Sequence, residues 1–210
     1  PGVPRAIALR RYDECRTRRR ADPGERSTDR PLMQSIAPRS LRDALGAFAT
    51  GVAVVTAIKP TGEPAGVTVN SFTSVSLDPP LILWCLQLTS TSLSAFAAGR
   101  HFSVNLLGEH QQRIAMQFAG KAPAKFPGAD LLPPDGPPPR IPGCICRIDC
   151  VGERIEPAGD HRIVLGRVIG VDSTGAPPLL FHAGRFGRFD PDVTPREPVD
   201  AWRSYAGEWF

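Results

Sequence analysis

The sequence predicts a mainly β domain, a closed or nearly closed antiparallel barrel carrying a few short helices. Three observations predict it. Short runs rich in β-branched and aromatic residues recur along the chain, as in VAVVTAI (52–58), LILWCL (81–86) and HFSVNLL (101–107). Turn signals separate them: K-P-T-G-E-P, D-P-P and E-P-A-G-D. No alternating strand–helix rhythm and no internal repeat is present, so a doubly wound parallel sheet is disfavoured.

Taken in order, Ser40 and Asp43 suit a helix start. Leu41, Leu45 and Phe48 then share one face, and Gly51 is placed to end the helix. A strand is expected at 52–58 and a single long strand at 66–77, where Thr, Ser and Val dominate. After 81–86, Thr91 and Ser92 open a short helix expected to end at Gly99. A strand follows at 102–107, and a helix at 109–119 with Ile114 and Phe118 four apart. Residues 133–142 hold six Pro, which excludes helix and central strand. Two long β runs flank E-P-A-G-D (156–160), and PLLFH (178–182) reads as a last short strand.

Composition bounds the rest. The 210 residues are 41% hydrophobic and 22% charged, the balance of a globular chain. The formal charge of +4 sits in one place: residues 1–30 carry nine Arg against five acids, and the other 180 residues balance. Three segments are therefore expected: a basic, disordered N-terminal extension (1–35), a folded domain (36–190) and a C-terminal tail (191–210). Met33 stands just before the first patterned segment and suggests a natural start there. The basic extension lacks interleaved aromatics apart from Tyr12, so nucleic acid is not expected as a partner. No apolar run is long enough to span a membrane and no signal peptide opens the chain, so a cytoplasmic protein is expected.

Five Cys do not read as a disulfide framework. Cys144, Cys146 and Cys150 invite a metal hypothesis, but their spacing matches no usual zinc pattern. On a strand they share one face with Ile148 while Arg147 and Asp149 point away, so core packing is expected and no metal.

Phosphate-loop, dinucleotide-fingerprint, zinc-protease and serine-hydrolase motifs are all absent from the sequence. What stands out is a concentration of hydroxyls and amides: Thr68, Asn70, Ser71, Thr73, Ser74 and Ser76, then Gln87, Thr89, Ser90, Thr91 and Ser92. Strand and turn preference accounts for such a set. A cradle for a phosphate-bearing cofactor accounts for it equally, with hydroxyls and backbone N–H groups holding the anion.

The string G-V-T-V-N-S-F-T-S-V-S-L-D-P-P-L-I-L-W-C-L resembles the signature region of the flavin reductase family, FMN-binding split-barrel proteins that serve two-component flavin monooxygenases. L-R-D-A-L-G-A-F-A-T-G-V-A-V-V-T precedes it. F-S-V-N-L-L, Q-F-A-G, K-F-P-G, G-D-H-R-I-V-L-G-R-V and L-L-F-H-A-G-R-F follow in the family's order, so the resemblance covers about residues 38–189.

The resemblance implies an FMN-binding split β-barrel with a few short helices, acting as an NAD(P)H-dependent flavin reductase. FMN or FAD would be the cofactor, NADH or NADPH the hydride donor, a flavin-dependent monooxygenase the partner through diffusible reduced flavin, and a homodimer the assembly. The alternative is an electron-transfer protein that keeps its FMN. Thr68, Val69, Asn70 and Ser71 would face the isoalloxazine; Cys85, Leu86 and Gln87 would line the ring or ribityl chain; Thr91 and Ser92 would hold the phosphate. Gln117 and Phe118 fall where the family often has Arg–Phe, and the neutral Gln removes a cation. His161 resembles the family's His near the nicotinamide and is the candidate catalytic residue. Phe181, His182, Gly184 and Arg185 would close over the nucleotide. With the flavin carrying the redox chemistry, no acid–base triad is needed.

Overall fold

The structure, a computed structural model, describes residues 36–120, 125–126, 132–133 and 135–190. The flanking segments 1–35 and 191–210, with Cys15 and Met33, lie outside the described residues.

The chain opens with helix α1 (Pro38–Leu45). It begins two residues before Ser40 and ends before Phe48, unlike the sequence expectation. Proline suits a first helical position, having a preset φ and no N–H to leave unpaired. Ser40 is thus an internal residue and not the cap. None of α1 is buried.

Among the described residues ten strands follow, in two sheets. The larger has the order β3-β2-β6-β7-β8-β5-β4 and is antiparallel throughout. Its strands are β2 (Ala53–Ile58), β3 (Pro64–Val69), β4 (Thr73–Leu77), β5 (Pro80–Gln87), β6 (His101–Leu106), β7 (Cys146–Ala158) and β8 (His161–Ser173). The smaller sheet, β1 (Thr50–Gly51), β9 (Leu179–His182) and β10 (Arg185–Arg188), has the order β1-β9-β10. Helix α2 (Gln112–Ala119) lies between β6 and β7 in sequence. The segment read as a helix after Thr91 is a single 3₁₀ turn, Leu93–Ala95.

One difference from the sequence reading shapes the site. The run 66–77 is not one strand: it breaks at Asn70–Phe72, between β3 and β4. Those strands lie at opposite edges of the larger sheet, so the short connector crosses from one edge to the other. The Cys85 backbone N–H donates to Ser71 Oγ at 2.9 Å, fastening the connector to β5. The barrel is therefore closed there by a connector and a side chain, and its backbone edges stay split.

Two apolar layers hold the barrel. β2 is buried along its whole length because both its faces are covered. Val55 and Ala57 join Trp84, Phe96, Phe102, Val104 and Val164 inside the barrel. Trp84 lies edge-to-face with Phe96 at 4.8 Å and Phe102 at 5.9 Å between centroids. Val52 and Val54 face outward, onto Leu107, Ala115, Phe118, Ile141 and Leu179. Part of the proline-rich stretch seals this outer layer, with Pro139 O accepting from Thr56 Oγ1 at 2.7 Å and Ile141 buried.

Cys150 is fully buried in the barrel core, whereas Cys144 precedes β7 and Cys146 opens it, both only half-buried. Cys146, Ile148 and Cys150 keep the strand alternation, pairing with Leu106, Val104 and Phe102 of β6; the β7–β8 register shift between Asp149 and Cys150 places its extra residue, Ile169, on β8. Arg147 and Asp149 share the other face of β7, as expected, and there Arg147 is buried and paired with Asp149 at 2.6 Å.

Candidate functional site

A cleft of about 290 Å³ opens where the β3–β4 connector meets the ends of β5 and β8. β3 and the connector contribute Thr68, Val69, Asn70 and Ser71, and β5 contributes Cys85, Leu86 and Gln87. Thr89, Ser90 and Thr91 follow from the loop after β5, and His161 from the start of β8. Nine of the sequence-predicted residues thus line one cavity.

His161 is placed by a turn. β7 and β8 pair as far as Ala158↔His161, which leaves a two-residue connection, Gly159–Asp160. Gly159 has φ 62°, a conformation glycine adopts without strain. His161 also pairs with Gln87 of β5, which brings its half-exposed ring to the cleft. Its Nδ1 lies 2.7 Å from Asp160 Oδ1. That hydrogen bond, with the charge of the imidazole behind it, holds the Asp160 carboxyl below the usual carboxylate range. An ionised carboxylate accepts, so Nδ1 carries the proton and Nε2 is left for a ligand.

The hydroxyls divide into two groups. Thr68 Oγ1 donates to Ala115 O at 2.7 Å and Ser71 Oγ accepts from the Cys85 N–H, so these two side chains brace the walls. Ser92, predicted to hold a phosphate, is buried outside the cleft and donates to Gly66 O at 3.1 Å. Ser90 Oγ accepts from the Ser92 N–H at 3.2 Å.

The cation missing at Gln117 is supplied by Lys125, which sequence reasoning did not single out. Its ammonium lines the cleft and donates to Gly66 O and Phe118 O, each at 2.9 Å. Partial burial lowers its pKa from the ordinary 10.5. Among the described residues no carboxylate pairs with it. Gln117 lies on the exposed side of α2 and donates to Lys125 O at 2.8 Å, so it positions the lysine from outside. Phe118 is buried in the outer layer against Phe126, and it packs on Gly66, where a Cβ would come within 2.6 Å of its ring. Ala119 and Gly120, also unpredicted, complete this wall.

Phe181 and Gly184 line a second groove of about 610 Å³, formed with the end of α1 and Thr50. Asn70 lines both cavities, so they adjoin. His182 and Arg185 face each other across the exposed β9–β10 turn and line neither. Ala183 N–H donates to Gly46 O at 2.9 Å, tying this turn to the end of α1.

A half-buried ammonium with no carboxylate partner among the described residues, beside the hydroxyls of Thr89, Ser90 and Thr91, is a donor set for a phosphate on a polar ligand. The split barrel and this cleft define a flavin-reductase-type protein. The comparisons agree: residues 45–190 match the flavin reductase like domain, and the chain belongs to that family.

Among its relatives, the FMN reductase (NADH) SmoA of Agrobacterium fabrum is 44% identical over 151 residues, 72% of this chain and 86% of that protein. HsaB of Rhodococcus jostii, the reductase subunit of a flavin-dependent monooxygenase, is 37% identical over 171 residues, 81% of this chain and 86% of its own length. Among solved structures, nitrilotriacetate monooxygenase component B from Mycobacterium thermoresistibile superposes with a TM-score of 0.68 at 37% identity, over 76% of this chain and 90% of that one. The NADH:FAD oxidoreductase SgcE6 of Streptomyces globisporus, solved with NAD and FAD fragments, gives 0.66 at 38% identity, over 74% and 94%.

Proposed function

We propose that this chain is an NAD(P)H:flavin oxidoreductase that reduces FMN or FAD by hydride transfer and releases it to a separate flavin-dependent monooxygenase. One observation carries the reading: a polar cleft holding Lys125, with which no carboxylate pairs among the described residues, adjoins an apolar groove at Asn70, giving a flavin and a nicotinamide nucleotide neighbouring berths. Flavin, when bound, would supply the redox chemistry.

The chain's own groups bind and orient. Lys125 and the hydroxyls of Thr89, Ser90 and Thr91 hold the phosphate. Thr68–Ser71, with Cys85, Leu86 and Gln87, would hold the ring. His161, its tautomer set by Asp160, donates or accepts at the nicotinamide side through Nε2. Phe181 and Gly184 form the far wall. Holding two rings in register is the largest contribution such a site makes, since orientation replaces a chance encounter.

The exposed apolar residues Val75 and Leu77 on β4 and Ile169 and Val171 on β8 support a homodimer. Relatives named as monooxygenase reductase subunits support the partner.

Anaerobic mixing with NADH and excess FMN tests the proposal. Many turnovers per chain are expected. A single turnover would instead mark a carrier that keeps its FMN, and none would remove reductase activity altogether.

A further inference from the structure

Among the described residues only two charged side chains line the groove of about 610 Å³, Arg42 and Asp43, and both come from α1. Its larger walls are apolar: Leu45 at the end of α1, Phe48 just beyond it, and Phe181 on β9.

Sequence alone puts Asp43 near a helix start, where the dipole favours an acid. The helix instead runs from Pro38 to Leu45, so Asp43 falls in its last turn. There the dipole favours a base and opposes an acid. Arg42 is thus accounted for by the helix, and Asp43 is not. Nor does any described base form an ion pair with Asp43.

In the proposed reaction the nicotinamide must reach the flavin, so it belongs at Asn70, which lines both cavities. The adenosine half then extends away from that junction, along the walls that α1 and Phe181 supply. A flat adenine suits the apolar surfaces of Leu45, Phe48 and Phe181. The pyrophosphate and the adenosine ribose are left to the two charged side chains. A guanidinium suits pyrophosphate, and a carboxylate accepts from ribose hydroxyls.

We infer, on that reading, that Asp43 sets the choice of nucleotide: its carboxylate binds the adenosine ribose of NADH and repels the phosphate that NADPH carries on the same ribose. Arg42 attracts the pyrophosphate common to both and so cancels from the choice, because specificity is a difference of affinities. A carboxylate close to a phosphate dianion in an open, watery groove is worth about tenfold against NADPH.

The oxidised nucleotides test it, since they bind without turnover. Calorimetric titration of the full, flavin-loaded chain should give NAD+ a Kd about tenfold below that of NADP+. In Asp43→Asn, a change at an exposed position, the gap should close to within about twofold, mainly through tighter NADP+ binding. Initial rates with NADH and NADPH should converge in KM, with kcat little changed. A parent chain that prefers NADP+ or does not discriminate, or a gap that Asp43→Asn leaves in place, would overturn the inference and leave the reductase reading standing. So would Arg42→Gln weakening NADP+ alone, which would assign the ribose phosphate to the guanidinium. Binding of neither nucleotide would overturn both.

Discussion

The barrel interior and the cleft beside it are built from adjacent residues of the same strand, yet they obey opposite rules. Along β5, Trp84 and Leu86 are buried, while Cys85 and Gln87 turn to the cleft. The interior is apolar and closed around an aromatic trio. The cleft keeps an ammonium with no carboxylate partner among the described residues, and hydroxyl-bearing residues line it. A site of this kind is held rigid by a core that owes nothing to it, and substitutions in the two regions should therefore separate stability from binding.

The largest expected effect is in the core. Trp84→Ala should cost about 3–5 kcal/mol of stability, since the lost contacts leave a cavity among Phe96 and Phe102. Urea unfolding checks it, and a loss below ~1 kcal/mol would mean that the aromatic trio does not hold the barrel.

In the cleft, Lys125→Gln removes a charge-assisted contact. FMN binding should weaken roughly 10- to 100-fold, with riboflavin, which lacks the phosphate, little changed. Equal losses for both ligands would show that Lys125 braces Gly66 and Phe118 and does not meet a phosphate. A pH series sharpens the same point. Burial lowers the lysine's pKa, so FMN affinity should fall as pH rises through a value below 10.5.

His161→Ala should raise the nicotinamide KM about tenfold, the scale of one or two hydrogen bonds, and leave flavin binding intact. Steady-state kinetics with an unchanged KM would withdraw the residue from the nucleotide side.

The smallest effect belongs to a group wholly in the core. Burial pushes the Cys150 thiol up from about 9 to about 12. The folded state thus favours the protonated thiol, a contribution fully present below pH 9 and lost as pH rises from 9 toward 12. Thiol reagents should reach Cys150 only on unfolding; modification of the native chain at pH 8 would contradict that placement.

Much of this was legible because strand chemistry is local. β2, β5, β6 and the β7–β8 hairpin follow from β-branched runs and turn residues. What the sequence hid is what distant packing decides. The break at Asn70–Phe72 lies in a stretch whose residues all suit a strand, and it is set by the crossing between sheet edges. Ser92 and Ser90 look alike in sequence, but the carbonyl of Gly66, 26 residues from Ser92, draws only Ser92 inward. Lys125 carries no local sign of its place, since Gly66 and Phe118 fix it. β10 lacks a long apolar run and is held by its pairing with β9.

Equilibrium titration of the full-length chain with FMN and with FAD tests the central assignment most directly. Saturable binding of at least one flavin, at one site per chain and weakened by Lys125→Gln, is the expected result. Failure of both flavins to bind at any practicable concentration would contradict it.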